Sequence, residues 1–220
     1  MNDAVLTREK ILETAEDVLR RYGPAKATVV DVARALDVSH GSVYRHFPSK
    51  AALREAVVER LLERVSRPLE GIVAEDAPAD ERLYRWCRAL MAAKHHKVNS
   101  DPELFATYMT LAQEARDVVT AHVEHLIDQV SAIIADGITR GEFREGDPRQ
   151  MARAVLMATA PFHHPAFAAN WSQPDVGADF DAVWAMIRPG LMSQGKISSG
   201  KPGAGKPGQE KTGRGKAGAA

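Results

Sequence analysis

The sequence predicts an all-α fold. Apolar residues recur every three to four positions through most of residues 7–193, which is the spacing of helices that bury one face. No stretch alternates apolar and polar residues between turn signals, as a half-buried strand does. Glycines and prolines divide the chain into segments of helical length. These observations indicate three short N-terminal helices followed by a larger helical unit.

The first two predicted helices have clear start and stop signals. Thr7 opens the first helix, and the run Tyr-Gly-Pro at residues 22–24 ends it. Thr28 is placed to cap the second helix, which runs to about Leu36. The apolar face of that helix consists of Val29, Val32, Ala33 and Leu36.

A tight turn and a third short helix follow. Asp37 and Val38 form the predicted turn, and Ser39 is the next N-cap. Val43 and Phe47 lie one helical turn apart and bury the third helix. The outward positions carry hydrogen-bonding groups, a ring and a guanidinium group, at His40, Ser42, Tyr44, Arg45 and His46. A helix-turn-helix with such a face fits the major groove of DNA, where these groups can contact base edges and phosphates.

The alternative is a two-helix element of a helical protein that does not bind DNA, because this geometry also occurs elsewhere. It would leave Tyr44, Arg45 and His46 exposed beside Lys50 without partners. A phosphate-lined groove offers each of them a partner, so the pattern favours DNA.

The rest of the chain is predicted to be helical as far as residue 193. A fourth helix runs from Lys50 to about Val73, with a kink or an end at Pro68. After a break at residues 76–80, further helices are predicted, with ends uncertain by ~2–4 residues. They span residues 80–97, 102–112, 114–140, 148–162 and 176–193. The Gly, Lys and Pro-rich tail at 194–220 is predicted to be disordered, either as a solvated tail or as a basic arm for DNA.

Two segments, ILETAEDVLRRYG and TVVDVARALDVSHGSVYRHFPSKAAL, resemble the DNA-binding domain of the TetR family of bacterial transcriptional regulators. The resemblance implies a helix-turn-helix domain at 1–49 that binds operator DNA as a homodimer. It implies a second domain at 50–193 with a small-molecule pocket and the dimer interface, the helix at 50–73 linking the two. The implied function is a ligand-responsive repressor that binds a palindromic operator and needs no cofactor.

The resemblance also implies which residues contact the operator. The implied phosphate contacts come from Thr28, Tyr44, His46 and Lys50. The implied base or phosphate contacts come from His40, Ser42 and Arg45. Ser39 begins the same helix, and Gly41 would permit close approach of the backbone.

The last two predicted helices are assigned to dimerisation, because with their mates they would form a four-helix bundle across a two-fold axis. Their apolar residues are Met151, Val155, Leu156, Ala158, Phe180, Val183, Trp184, Ile187 and Leu191. Part of each face is expected to pack inside the monomer, and the alternative is that both faces do so entirely.

An effector pocket is expected among the helices between residues 80 and 165. Its candidate lining residues are Trp86, Met91, Phe105, Tyr108, Met109, Leu111, Leu126 and Phe162, with His122 or His125 as a polar contact. Residues of each of these types more often belong simply to the hydrophobic core. The identity of the effector does not follow from the sequence.

A metal-sensing regulator is a further alternative, because six histidines lie in the C-terminal part. His122 and His125 are three residues apart on one helix and could share a metal with His163 or His164. Against this, adjacent histidines such as the pair at 95–96 point about 100° apart on a helix, and we predict no metal site. A helical enzyme or interaction module is a more distant alternative, because the sequence has no Gly-rich phosphate loop or nucleophile elbow.

Charge is divided unevenly along a chain whose formal net charge is zero. Lys and Arg outnumber Asp and Glu by nine to seven in residues 1–54 and by six to one in residues 194–220, whereas residues 55–193 hold fourteen against twenty-one. This division directs DNA toward the N-terminal end. A single cysteine, Cys87, and the lack of a signal peptide or an apolar run of ~18 residues predict a cytoplasmic protein.

Overall fold

The computed structural model describes residues 6–193, and this range is all-α, as predicted. Its α-helices are α1 (Arg8–Lys26), α2 (Val29–Ala35), α3 (His40–Tyr44), α4 (Lys50–Ser66), α5 (Glu70–Val73), α6 (Ala79–Ser100), α7 (Pro102–Glu114), α8 (Arg116–Thr139), α9 (Pro148–Ala158), α10 (Ala160–His163) and α11 (Val176–Leu191). Two 3-10 turns occupy Arg67–Leu69 and Pro165–Asn170.

No helix within residues 6–193 is both long enough and apolar enough to cross a membrane. The predicted tail at 194–220 lies outside the described residues.

The first three helices form the predicted helix-turn-helix unit. Thr7 caps α1 by accepting a hydrogen bond from the Lys10 N–H at 3.2 Å. The predicted stop is also present, since Gly23 has φ +72° and interrupts the helical backbone. The predicted buried residues Val29, Val32, Ala33, Val43 and Phe47 share one core with Ile11, Leu12, Ala15, Val18 and Leu19 of α1.

The long helix α4 is shared between two hydrophobic cores. Leu53 and Leu62 belong to the core of the first unit, whereas Val65 belongs to the second core. Pro68 ends the regular helix, because a 3-10 turn follows at Arg67–Leu69. The first core thus continues past residue 49, and the domain boundary proposed there stays a prediction.

The second core is centred on α6 and α8. Trp86 is fully buried, and its indole N–H donates to the Gln129 side-chain oxygen at 2.8 Å. The Gln129 amide donates in turn to the Ser66 carbonyl of α4 at 3.2 Å. This chain of buried hydrogen bonds satisfies the polar groups while it joins α4, α6 and α8.

The helix predicted at 148–162 is broken at Thr159 into α9 and α10. Thr159 is fully buried, and its hydroxyl donates back to the Val155 carbonyl at 2.8 Å. Pro161 then lacks the N–H that a continuous helix would use, so the chain turns there.

The residues assigned to dimerisation divide between the inside and the outside of the monomer. As expected, part of each apolar face packs inside the monomer, because Met151, Val155, Phe180, Trp184 and Leu191 are buried in its own second core, and the assignment of the two helices to dimerisation stays a prediction. Ala158 is exposed, and Leu156, Val183 and Ile187 are partly exposed. The outward faces of α9 and α11 instead carry Met157, which is 77% exposed, and Met186, which is 81% exposed.

Candidate DNA interface and inner cavity

The third helix, α3, is held by its own N-cap. Ser39 accepts a hydrogen bond from the Ser42 N–H at 3.2 Å, and the two hydroxyl groups lie 2.9 Å apart. Its buried side chains, Val43 and Phe47, fix the helix against α1 and α2. The face opposite these two residues is free to meet a groove.

The turn before α3 contains a residue in the left-handed region. Asp37 has φ +55°, which aspartate tolerates better than most residues other than glycine. The Asp37 N–H donates to the Arg34 carbonyl at 3.2 Å, and the Val38 N–H donates to the Ala33 carbonyl at 3.0 Å. These bonds close the second helix and set the angle at which α3 leaves it.

The predicted recognition residues lie together on the outer face of α3. Tyr44 is 42% exposed, and His40 and Arg45 are also exposed. The His40 and Tyr44 rings meet edge to face, with centroids 6.3 Å apart. Arg45 donates to the Ser42 hydroxyl at 3.1 Å, which aims the guanidinium group along the helix.

Phe47 and His46 anchor the end of this face to α1. The Arg8 guanidinium lies 4.4 Å from the centroid of the Phe47 ring and donates to the His46 carbonyl at 3.4 Å. His46 itself is partly exposed at the end of the face. The rigid support of α3 is therefore supplied by residues on its inner side and by α1.

Thr28 and Lys50 occupy the starts of the neighbouring helices. Thr28 and Asp31 form a reciprocal capping box, in which each side chain accepts from the other residue's N–H. The Thr28 hydrogen bonds, led by that of its hydroxyl, lower the pKa of the Asp31 carboxyl. Lys50 is the first residue of α4, and the preceding Ser49 caps that helix by accepting from the Ala52 N–H at 3.0 Å.

No contact within the protein requires a glycine at position 41. A Cβ atom there would meet only the Ser39 Oγ, at 3.7 Å, which is an ordinary contact. The residue is exposed on the same face as His40 and Tyr44. The missing side chain therefore leaves room on the outer face, where DNA would approach.

A cavity of about 190 Å³ lies where the first helix meets the C-terminal helices. It is lined by Glu16 and Arg20 of α1, Leu61, Leu62, Arg64 and Val65 of α4, Lys94, Lys97 and Ser100 of α6, Asp101, Leu104, Phe105, Tyr108 and Pro165. Burial raises the pKa of the Tyr108 hydroxyl to about 12, so this group stays protonated at neutral pH.

Ion pairs cross the cavity wall from α1. The buried Glu16 carboxylate lies 2.8 Å from the Arg64 guanidinium and 3.0 Å from that of Arg60, both on α4. Arg20 lies 2.8 Å from Asp101, the N-cap residue of α7. Burial opposes ionisation of Asp101, but hydrogen bonds from the Leu104 N–H and from Arg20 lower its pKa overall.

Of the pocket residues predicted from the sequence, Phe105 and Tyr108 line this cavity. Trp86, Met91, Leu111, Leu126 and Phe162 are buried in the hydrophobic cores. Met109 is partly exposed on α7. His122 and His125 line a separate, open groove beside α4 and α8.

The histidines do not gather into a metal site within residues 6–193, where no three His, Cys, Asp or Glu side chains could hold one ion. His125 bonds to the Gln129 side chain at 3.0 Å, and His163 lies 3.3 Å from the Thr159 hydroxyl. His95 stacks on Trp171 and bonds to the Phe162 carbonyl at 2.9 Å. The metal-sensing alternative has no support among these residues.

Lys94 is one of the cavity residues that the sequence analysis missed. Its position follows the buried face of α6, since Leu83, Cys87, Leu90 and Lys94 are spaced by four, three and four residues. Burial lowers the pKa of its ammonium group to about 8. A lysine on the apolar stripe of a helix is the signal that could have indicated it.

Two family models match the chain. The model of bacterial regulatory proteins of the tetR family matches residues 11–57, and the model of the tetracyclin repressor-like C-terminal domain matches residues 79–184. These two ranges contain the whole of α3 and the cavity-lining residues of α6 and α7. The matches therefore cover both the candidate DNA interface and much of the cavity.

Individual proteins agree with these matches. An HTH-type transcriptional repressor of Mycobacterium tuberculosis is 39% identical over 70 residues, which are 32% of this chain and 35% of that protein. The fatty acid metabolism regulator of Bacillus subtilis is 22% identical over 187 residues, or 83% of this chain and 94% of the relative.

Solved structures share the fold. The structure of a TetR-family regulator from Mesorhizobium loti aligns with TM-score 0.67 at 18% identity, covering 85% of this chain and all of that one. The structure of the regulator FadR from Bacillus subtilis, in complex with stearoyl-CoA, aligns with TM-score 0.61 at 18% identity, covering 82% and 97% of the two chains. With both of its domains matched, the chain belongs to the TetR family and is a DNA-binding transcriptional regulator, not an enzyme.

Proposed function

We propose that the chain is a repressor that binds a palindromic operator as a homodimer and releases it when a small molecule fills the cavity. The observation that carries this proposal is the position of that cavity, because its wall contains α1 of the helix-turn-helix unit as well as helices of the larger domain. A ligand seated there touches both parts and can favour one arrangement over another.

DNA contact is assigned to the outer face of α3 and its two flanking helix starts. Tyr44, Arg45 and His40 are exposed there over a rigid apolar support, and Gly41 leaves the face open. Thr28, Ser39, Ser42, His46 and Lys50 complete the proposed contact set. Phosphate contacts from the helix starts fix the register, and the side chains of α3 read the groove.

The dimer is assigned to the outward faces of α9 and α11. Met157 and Met186 are the most exposed large apolar side chains within residues 6–193, and they lie on these two neighbouring helices. Apolar side chains at that level of exposure are typical of a surface that another subunit covers. A two-fold axis through this face would pair two recognition helices, which matches a palindromic site.

The name of one relative and the ligand bound to another support the proposal of a repressor controlled by a small molecule. The Mycobacterium tuberculosis relative is named as a repressor, and the FadR structure contains stearoyl-CoA. A ligand must prefer the released state by about 10⁴-fold to move operator occupancy from 99:1 to 1:99. We assign this preference to the cavity, because a ligand there would contact both α1 and helices of the larger domain.

Selection of bound sequences from a random duplex pool tests the proposal. We expect a palindrome whose half-sites are bound by two subunits, with affinity that falls steeply as salt rises. An enriched site without two-fold symmetry would contradict the homodimer, and no enrichment at all would contradict specific operator binding.

A further inference from the structure

Lys94 brings an ammonium group to the cavity without a counter-charge. Within residues 6–193, the ion pairs in the cavity wall join Arg20 to Asp101 and Arg64 to Glu16, and Lys94 takes part in neither. The unpaired ammonium lowers the stability of the unliganded protein, because burial removes part of its hydration. A partly buried ammonium group in a cavity wall, with no carboxylate paired to it, is a candidate site for a ligand that supplies the opposite charge.

The groups nearest to Lys94 supply no negative charge. Burial, with a smaller contribution from Lys94, lowers the pKa of His122 to about 3 and that of His163 to about 4, so both rings are neutral at pH 7. The Nε2 atom of His122 is buried and has no hydrogen-bond partner among the described residues. Lys97, one helical turn from Lys94, is a second cation in the wall.

Part of the cavity wall is apolar, and the cavity volume indicates the size of ligand that this part can cover. Phe105 and Tyr108 face Leu61, Leu62 and Val65 across the space. A dry cavity of about 150 Å³ holds one benzene molecule, and this cavity measures about 190 Å³. One ring with a small polar head is therefore the scale of molecule that it accommodates.

We propose that the cavity binds a small organic carboxylate, with the carboxylate on Lys94 and the apolar body between Phe105 and the α4 side chains. The inference rests on the proposed function for its regulatory meaning, since it names the chemical class of the effector. The carboxylate supplies the counter-charge that Lys94 lacks, and the ring replaces water at the apolar wall. Because Arg20 and Glu16 share the wall, the occupied cavity acts directly on α1.

Calorimetric titration of the full chain tests the proposal with three probes of nearly equal shape. Benzoate carries the negative charge, benzamide is its neutral counterpart, and benzylammonium is positively charged. We expect benzoate to bind about tenfold or more tightly than benzamide, and benzylammonium not to bind. The variant Lys94→Met keeps the length of the side chain and should lose about tenfold or more in benzoate affinity.

Lys10→Met is the matched control, because Lys10 is an exposed lysine of α1 outside the cavity. It should bind benzoate as the unchanged protein does. The proposal is overturned if Lys94→Met binds benzoate with unchanged affinity, if benzamide binds as tightly as benzoate, or if benzoate does not bind at about 10 mM.

Operator affinity measured in the same samples separates this proposal from the proposed function. If benzoate binds through Lys94 but leaves operator affinity unchanged, the cavity is a carboxylate site. In that case it is not the site through which an effector controls operator binding. If the unliganded protein binds no operator, the proposed function is contradicted. The benzoate titration still shows whether the cavity binds a carboxylate.

Discussion

Arg20 of α1 donates from Nε to the Asp101 carboxylate at 2.8 Å, and Asp101 is the N-cap residue of α7. This pair links the unit that carries the recognition helix to the helix that supplies Phe105 and Tyr108 to the cavity. A ligand that displaces α7 therefore acts on α1 through a defined contact. The hydrogen bond holds this contact in the unliganded protein.

Replacing this contact should weaken the coupling between cavity and operator. In Arg20→Gln we expect a smaller change in operator affinity when the cavity is filled, and a loss in stability of less than about 1 kcal/mol, because the pair is partly exposed. Asp17→Asn is the control, since it removes the other partner of Arg20, at 2.6 Å, without touching α7. The coupling is measured by operator titration with and without ligand. If ligand changes the operator affinity of the two variants by the same factor, the Arg20–Asp101 pair does not transmit the effect of the ligand.

Gly41→Ala should preserve the fold and damage DNA binding. The new Cβ meets no close neighbour in the protein, and alanine favours a helix over glycine by up to about 1 kcal/mol. The same Cβ projects from the outer face of α3, so we expect operator affinity to fall by about tenfold. Gly71→Ala, on the short helix α5, is the control, because a Cβ there also meets nothing within 4 Å. If both variants bind the operator normally, α3 does not approach DNA as proposed.

Lys94→Met should stabilise the unliganded protein at pH 7 by about 1 to 3 kcal/mol, because it removes a buried charge without a partner. Since the folded-state pKa is lowered from 10.5 to about 8, the destabilisation is fully present below pH 8 and disappears as pH rises toward 10.5. The advantage of the variant should therefore shrink between pH 7 and pH 10 in denaturant unfolding. A variant that is less stable than the unchanged protein at pH 7 would mean that Lys94 is paired.

Other titratable groups near Lys94 could also change the stability of the protein over this pH range. They are Lys97, Arg20, Arg64, Glu16, Asp101 and Tyr108 in the cavity wall, together with His122 and His163, whose pKa values Lys94 helps to lower. The two histidines titrate below pH 5 and Tyr108 near pH 12, outside the range from pH 7 to pH 10. Groups that titrate equally in the variant and in the unchanged protein do not contribute to the difference in stability between them.

Charged residues on the outward faces of α9 and α11 should prevent dimerisation. Met157→Glu and Met186→Glu place a carboxylate where each methionine is largely exposed in the monomer, so we expect a folded monomer in sedimentation experiments. Val123→Glu is the control, because Val123 is a 45% exposed apolar residue on α8. If both methionine variants remain dimers, another face joins the subunits.

Much of the fold could be predicted from local signals in the sequence. Thr7, Thr28 and Ser39 cap their helices as predicted, and Pro68 ends the regular α4 helix. These features depend on hydrogen bonds and backbone angles within a few residues. The outward face of α3 followed in the same way from the burial of Val43.

The cavity could not be predicted, because its wall comes from helices far apart in the sequence. Arg20 and Lys97 line the same cavity because α1 packs against α7, and helical periodicity contains no information on that packing. For the same reason, periodicity alone does not decide whether Trp86 and Phe162 line a pocket or belong to the core, which is the more common role, and both are in the core. Periodicity likewise predicts an apolar face on α9 and on α11, but it does not determine how much of each face packs inside the monomer.

The most direct test of the account compares two exposed tyrosines. Tyr44 on α3 is 42% exposed and Tyr22 on α1 is 45% exposed, so truncation of either removes a similar surface side chain. With the selected operator at moderate salt, Tyr44→Ala should lose about tenfold or more in affinity, whereas Tyr22→Ala should bind as the unchanged protein does. Equal affinity of Tyr44→Ala and the unchanged protein would contradict the claim that the outer face of α3 contacts DNA.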